Sequence, residues 1–216
     1  MEPIFLIRNI VRRVAPGRYA SFTEAHVLKA LEIVSSEPRI GRKSLGEALG
    51  LNEGVARTLL RHIKEANLIE VTKKGIKLSE QGTHTLAALQ TFISGGIEVP
   101  RSALTIGAEN YAVLIKGVKR FIRNGVEQRD AALKAGAMGA TTLVFNGEKL
   151  TLPGMQEPPP KMEEVINLLL SRLKPMDGDV IIIGTASDIL LAEMGAKTAA
   201  LELLKQTDKR EAPSTR

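Results

Sequence analysis

Residues 41–71, GRKSLGEALGLNEGVARTLLRHIKEANLIEV, decide how this chain folds and what it meets. Gly50 stops a short helix over about Arg42 to Leu49, because glycine adopts the left-handed backbone of a helix end without steric cost. Asn52 is a strong N-cap for a longer helix to about Ala66, with Asn67 as its stop. Two helices joined by the turn Gly50-Leu51-Asn52 predict a helix-turn-helix. On the longer helix Val55, Ala56, Leu59, Leu60 and Ile63 cluster on one half of the wheel at about 100° per residue. Gly54, Arg57, Thr58 and Arg61 take the opposite half. Two guanidiniums, a hydroxyl and a glycine that admits close backbone approach suit base edges or phosphates.

Working outward, Leu68 to Thr72 and Ile76 to Leu78 alternate like two short strands around the turn Lys73-Lys74-Gly75. With Lys77 they form a basic wing for a phosphate backbone. Upstream, Ser21-Phe22-Thr23-Glu24 reads as a capping box opening a helix with apolar Val27, Leu28, Leu31 and Val34. Downstream, Ser79 opens a fourth helix striped by Leu86, Leu89 and Ile93. His62 lies beside the apolar stripe of the longer helix and reads as a packing residue. His26 and His84 read as ordinary helical positions.

The charge pattern agrees with a polyanionic partner. Residues 1–95 hold 14 Lys and Arg against 9 Asp and Glu, whereas residues 96–216 hold 16 against 15. Almost the whole surplus sits in the first half. The other composition figures exclude function classes. Hydrophobic residues are 44% and charged residues 25%, as in an ordinary globular chain of 216 residues. No apolar run is long enough for a membrane span, and IFLI near the N-terminus, followed at once by Arg8, Arg12 and Arg13, is too short for an export signal. The expected location is cytoplasmic, with no membrane partner. Cysteine is absent, and the three histidines have neither HxxxH nor HExxH spacing, so neither a thiolate nor a zinc site is expected. Aromatics at 3% argue against base-stacking recognition of single strands. No cofactor and no catalytic residue is expected.

Ser94-Gly95-Gly96 reads as a flexible break between two domains. The expected division is a winged helix-turn-helix over 1–94, an α+β domain over 97–206 and a flexible tail over 207–216. In the second domain YAVLIK (111–116) reads as a strand and Val126 to Ala135 as a helix closed by Gly136. TTLVF (141–145) and EKLTL (148–152) flank Asn146-Gly147, a strong hairpin signal. GMQEPPP (154–160) is a stiff connector. Met162, Val165, Ile166, Leu169 and Leu173 mark a helical face, Asp179 to Gly184 a buried strand, and Ala186 to about Leu204 a final helix. The order β-α-ββ-α-β-α implies an α+β fold with a mostly antiparallel sheet and helices packed on it, with room for an extra strand around 97–106.

Two polar clusters in this half are candidates for ligand binding. In the first, Arg129 and Asp130 precede a glycine-rich helix end and the hydroxyls Thr141 and Thr142; an ordinary helix-to-strand connection explains the same residues. In the second, Asp177 and Asp179 precede a strand, and Thr185, Ser187 and Asp188 follow it. Amides at the next helix N-terminus could take an anion there. Ser187 or Asp188 could equally be its N-cap, and the three aspartates could hold Mg²⁺ only if they converge. Glu193 and Lys197, spaced i, i+4, read as an exposed pair. Met194, Ala196, Ala199 and Ala200 make a small apolar surface that could cover the sheet or meet a second subunit.

The span from about residue 21 to 93 resembles winged-helix transcription regulators, with LSEQG echoing the LTxxG that commonly follows the wing. IGRKSLGEALGLNEGVARTLL joined to GVEQRDAALKAGAMGATTLVF resembles an archaeal family of two-domain transcriptional regulators across most of the chain. The resemblance implies a winged helix followed by an α+β domain similar to the GAD domains of some tRNA-charging enzymes, within a DCoH-like or ferredoxin-like fold. It brings neither a ligand nor catalytic residues. The primary expectation is therefore a double-stranded-DNA-binding transcription regulator. Arg57 and Arg61 lead the contacts, and Gly54, Thr58, Lys73, Lys74 and Lys77 support them. Its second domain would dimerise, as half-site readers often do, or sense a small-molecule effector. One alternative is an RNA- or tRNA-associated factor, since a basic winged helix can grip duplex RNA by shape. The other is a Mg²⁺-dependent enzyme built on the second-half carboxylates.

Overall fold

The computed structural model describes residues 2–12, 21–157 and 162–211. The chain divides into two compact units, residues 1–90 and 91–216.

The first unit contains α1 (Glu2–Arg12), α2 (Glu24–Ser36), α3 (Arg42–Ala48), α4 (Glu53–Glu65), the hairpin β1 (Ile69–Thr72) and β2 (Gly75–Leu78), and α5 (Glu80–Gln90). Helix α1 is not predicted from the sequence, in which IFLI reads only as too short for an export signal. Ile4, Ile7 and Ile10 are buried at i, i+3 and i+6 while Phe5 is exposed, so IFLI is part of an amphipathic helix with its two isoleucines on the buried face. His62 Nδ1 lies 3.1 Å from the carbonyl oxygen of Ile10, in the last turn of α1. Carbonyls there have no intrahelical donor. The ring also meets Phe22 edge-on, with centroids 5.7 Å apart. The packing role expected of His62 is therefore also a hydrogen bond between α4 and α1.

The cap of α2 differs from the predicted Ser21–Glu24 box. Thr23 is the N-cap, and its backbone N–H donates to His26 Nδ1 at 3.1 Å while its hydroxyl lies 2.9 Å from the same atom. That nitrogen must be unprotonated to accept. Burial, and then the nearby Lys29 charge, hold the His26 imidazole below its ordinary value of 6.5. The unfolded chain therefore takes up a proton near pH 6.5 that the folded unit resists. Stability of the first unit is expected to fall as pH drops below about 6.5, until the lower folded-state value is reached. His26→Gln, which keeps an acceptor without titrating, should flatten that dependence. Urea midpoints at pH 7.5 and 5.5 check this, and equal loss in both proteins would refute it.

The second unit holds β3 (Ile93–Glu98), β4 (Glu109–Ile115), a 3-10 turn (Lys119–Phe121), α6 (Val126–Lys134), β5 (Gly139–Phe145), β6 (Leu150–Thr151), α7 (Glu163–Leu173), β7 (Val180–Ala186) and α8 (Ile189–Glu211). The five strands are ordered β3-β4-β7-β5-β6, every pair antiparallel. This is the expected α+β sheet with helices packed on it.

Strand β7 is central and buried along its whole length, which is why VIIIGTA lacks polar alternation. Ile181 and Ile183 face α7, where Val165, Ile166, Leu169 and Leu173 complete a core with Leu114 and Leu143. Gly184 faces α8. A Cβ there would overlap the carbonyl oxygen of Ala192 and lie 2.7 Å from the Ala196 nitrogen, so the glycine permits close helix–strand packing. The small apolar surface of α8 thus covers the sheet, with Ala192, Met194, Ala196, Ala199 and Ala200 all buried.

Five local expectations are corrected. Ser94-Gly95-Gly96 is no linker: it lies in β3, with a bulge between Ser94 and Gly96 opposite β4. Ile93 begins that strand and does not extend the α5 stripe, and the added strand is 93–98 where 97–106 was suggested. The Asn146-Gly147 hairpin forms, but Phe145 pairs with Leu150 across a four-residue loop. Asn146 Oδ1 accepts from the amides of Glu148 and Lys149 there, at 3.1 and 2.8 Å. Helix α8 runs on to Glu211, well past Leu204 and into the segment expected to be a flexible tail. The triple proline at 158–160 lies outside the described residues, as do residues 212–216.

Candidate nucleic-acid interface

The turn between α3 and α4 is held by backbone geometry that its sequence demands. Gly50 takes φ 64°, the Leu51 amide donates to the Gly46 carbonyl at 2.9 Å, and Asn52 Oδ1 accepts from the Val55 amide at 3.0 Å. Where the helices cross, a Cβ on Gly46 would stand 3.0 Å from the Ala56 Cβ, so close crossing depends on small residues on both sides. Ala56, Leu59, Leu60 and Ile63 are buried, and Glu53, Gly54, Arg57, Arg61, Lys64 and Glu65 are exposed. The predicted split of the wheel is observed except at its borders, where Val55 and Thr58 are both half-buried.

On the exposed face Arg57 Nη2 donates to Glu53 Oε1 at 2.7 Å, and Arg61 Nε stands 3.9 Å from Glu65 Oε1. Exposed i, i+4 pairs of this kind contribute only about 0.3–0.5 kcal/mol, so either arginine can be released to a phosphate or base. The Thr58 hydroxyl donates to the Gly54 carbonyl at 3.0 Å and is committed to its own helix. A Cβ at Gly54 would meet only Asn52 Oδ1, at an ordinary 3.5 Å. Packing within the unit does not require glycine there.

The wing has the expected chemistry. Lys77 pairs with Glu70 directly across β1 and β2 at 2.8 Å, and Lys73 and Lys74 stand exposed at the tip. Thr72 Oγ1 donates to the Gly75 carbonyl and accepts from the Lys74 amide, at 3.0 and 3.1 Å, which holds the turn. Gly75 takes φ 119°, and a Cβ there would overlap the backbone of Arg39. Arg39 itself adopts φ 80° and donates its amide to Ile76, beside an Ile40–Ile76 bridge that adds a third rung to the wing. Arg39, Lys73, Lys74 and Lys77 consequently line one cleft of about 410 Å³.

Sequence reasoning missed Arg39 because a bridge 36 residues away in sequence leaves no periodic signal. It also missed Arg42 and Lys43. These share a groove of about 570 Å³ with Arg57 between α3 and α4.

The candidate ligand residues of the second unit do not form one site. Arg129 is paired with Asp130, at 3.2 and 3.0 Å from the same carboxylate oxygen. Thr141 donates to the Leu104 carbonyl, and Thr185 Oγ1 accepts from the Gly107 amide at 2.6 Å. Both face the α7 side of the sheet. Thr142, opposite Ile182, faces the other side and is buried. Ser187 is exposed, and Asp188 caps α8 by accepting from the Leu191 amide at 2.9 Å.

Asp179 is buried and accepts from the amides of Gly117 and Met176, while Asp177 stands by Lys119. The carboxylates therefore serve loop geometry, and among the described residues no three acidic or histidine side chains could hold a metal ion together. Glu193 and Lys197 correct the sequence reading. They are buried, 2.5 Å apart, with the ammonium 6.0 Å from the Tyr111 ring centroid.

Residues 25–93 match the CggR N-terminal DNA binding domain. Residues 106–203 match a domain of unknown function, DUF4443. The chain thus pairs a regulator-type DNA-binding domain with a second, separately classified α+β domain. A stretch of 55 residues is 40% identical to the central glycolytic genes regulator of Bacillus subtilis (strain 168), covering 26% of this chain and 16% of that protein. The chain therefore spans about a sixth of this relative's length. A hypothetical protein from Pyrococcus horikoshii OT3 is similar over 88% of this chain and 95% of its own, with a TM-score of 0.66 and 25% identity. Among the described residues no helix is long and apolar enough to cross a membrane.

Proposed function

We propose that this chain is a transcription regulator that lays α4 in the major groove and its wing on the adjacent phosphates, and that it is not an enzyme. The observation carrying this reading is the exposed α4 face, with Arg57 and Arg61 presented outward on a unit whose wing cleft is lined by four cations. Arg57 and Arg61 are the base or phosphate contacts. Gly54 lets the helix backbone approach the groove, and Lys73, Lys74, Lys77 and Arg39 neutralise phosphates. Thr58 contributes its methyl group, since its hydroxyl is held by Gly54.

The second unit dimerises the chain or senses an effector. Dimerisation draws support from Ile106 and Met138, large apolar side chains exposed at 64% and 47%. Sensing draws support from a groove of about 480 Å³ beside Tyr111 and Arg172, within the usual size range of ligand sites.

The test is anisotropy of a labelled genomic duplex against salt. Log affinity should fall linearly with log salt. Lys73→Gln with Lys74→Gln should lower the slope by about 2, near 0.9 for each phosphate contact, while weakening all duplexes alike. A wild-type protein that binds no duplex at low salt, or a slope unmoved by the double variant, would overturn the assignment of the wing.

A further inference from the structure

The groove of about 480 Å³ in the second unit is lined by Gly96, Ile97, Glu98, Tyr111, Leu168 and Arg172. It runs along β3, which stands at the edge of the sheet. The Val99 amide donates to the Asn110 carbonyl at 2.9 Å, so the backbone groups of Val99 point into the sheet. Their direction alternates along an antiparallel strand, and the N–H and C=O of Glu98 and Gly96 therefore point off the edge. Gly96 has no side chain to shield them, and a Cβ there would overlap the Tyr111 hydroxyl.

The two charges of the groove stand on opposite sides of this edge. Glu98 is opposite Tyr111 in the strand register, and Tyr111 packs with Ala192 on the α8 side. Ile97 is opposite Ala112 and packs into the core beneath α7, the helix that carries Leu168 and Arg172 one turn apart. Glu98 and Arg172 are both exposed, and among the described residues neither side chain has an ion-pair or hydrogen-bond partner, the other included. Arg57, Lys77 and Arg129, by contrast, each hold a carboxylate oxygen, at 2.7, 2.8 and 3.0 Å.

We propose that this groove binds a free α-amino acid with an aliphatic side chain, as the effector in the sensing role given to the second unit above, a reading on which it rests. The ligand carboxylate pairs with Arg172, whose planar fork matches it, and the ammonium pairs with Glu98. The outward N–H and C=O groups of Gly96 and Glu98 take the remaining main-chain hydrogen bonds of the ligand. Ile97 and Leu168, both half-buried, receive its side chain. Glu98 repels a bare anion and Arg172 a bare cation, which selects a molecule carrying both charges. Exposed ion pairs are individually weak, so both charges and the strand edge act together, and the dissociation constant expected is about 0.1–1 mM.

The test is calorimetric titration of the full chain with each of the twenty amino acids, with L-leucine as the lead probe. Two analogues of it each lack one charge: N-acetyl-L-leucine has no ammonium and L-leucinamide has no carboxylate. Both should bind wild type at least about fivefold more weakly than L-leucine. Glu98→Gln should weaken L-leucine by a similar factor without weakening N-acetyl-L-leucine. Arg172→Gln should weaken L-leucine without weakening L-leucinamide. Loss of fold does not produce this crossed pattern, and both residues are exposed. No binding of any amino acid up to about 10 mM overturns the site, as does binding that the two variants leave unchanged or weaken equally for all three ligands. Duplex affinity measured with and without L-leucine separates the two levels. The crossed pattern with unmoved duplex affinity supports the site and overturns the sensing role, whereas absent amino-acid binding overturns the site and leaves duplex binding standing.

Discussion

Arg57→Ala is expected to weaken duplex binding about ten- to a hundredfold, the effect of losing a contact worth about 1–3 kcal/mol, and to relax preference at the base it reads. The folded unit should be unaffected, because Arg57 is exposed and its one described partner is Glu53 on the same helix face. That pairing yields a second, opposite result. Glu53 competes with DNA for the guanidinium at 2.7 Å and adds a negative charge to the docking face, so Glu53→Gln should tighten binding modestly. Anisotropy titrations at two salt concentrations separate these effects from wing contacts, which act through the salt slope. Equal affinity of wild type and Arg57→Ala would remove α4 from the interface.

Gly184→Val should have the largest effect on stability. A Cβ at this position would overlap the Ala192 carbonyl and crowd the Ala196 nitrogen at 2.7 Å and Cβ at 3.1 Å. Backbone atoms of α8 cannot move aside as a side chain could, so α8 and β7 must separate. Overpacking of this kind costs about 3 kcal/mol, lowering the melting temperature of the second unit by roughly 10 °C. Gly117→Ala is the control. Unlike Gly184 it sits at positive φ, 67°, and nothing lies within 4 Å of its Cβ, so only the backbone penalty of about 1 kcal/mol applies. A melting temperature lowered no further by Gly184→Val than by Gly117→Ala would show that close helix–strand approach does not limit position 184.

These expectations differ in how far they could be read without coordinates. The helix-turn-helix was legible because its determinants are local. Gly50 sets a backbone angle, Asn52 caps three residues ahead, and the α4 wheel repeats every few residues. Asn146 likewise organises its own loop, although the register that makes it four residues long depends on the pairing of Phe145 with Leu150. Ser94-Gly95-Gly96 misled for the converse reason. Glycines usually mark flexible connections, but here Gly96 makes room for the Tyr111 side chain on the neighbouring strand. The candidate ligand residues looked convergent because they were close in sequence. Strand alternation then sent Thr141 and Thr142 to opposite faces.

The sequence by itself determined the two helices, the wing, the cationic bias of the first half and the α+β character of the second, since caps, turns and periodicity act over a few residues. Tertiary structure alone decided that Arg39 joins the wing, that Asp179 fastens a loop 62 residues away in sequence, and that Glu193 and Lys197 are buried together. Which face of a helix meets the sheet, and which distant amide meets a carboxylate, is set by long-range packing, and i, i+4 spacing on α8 is the same whether the pair faces water or the core.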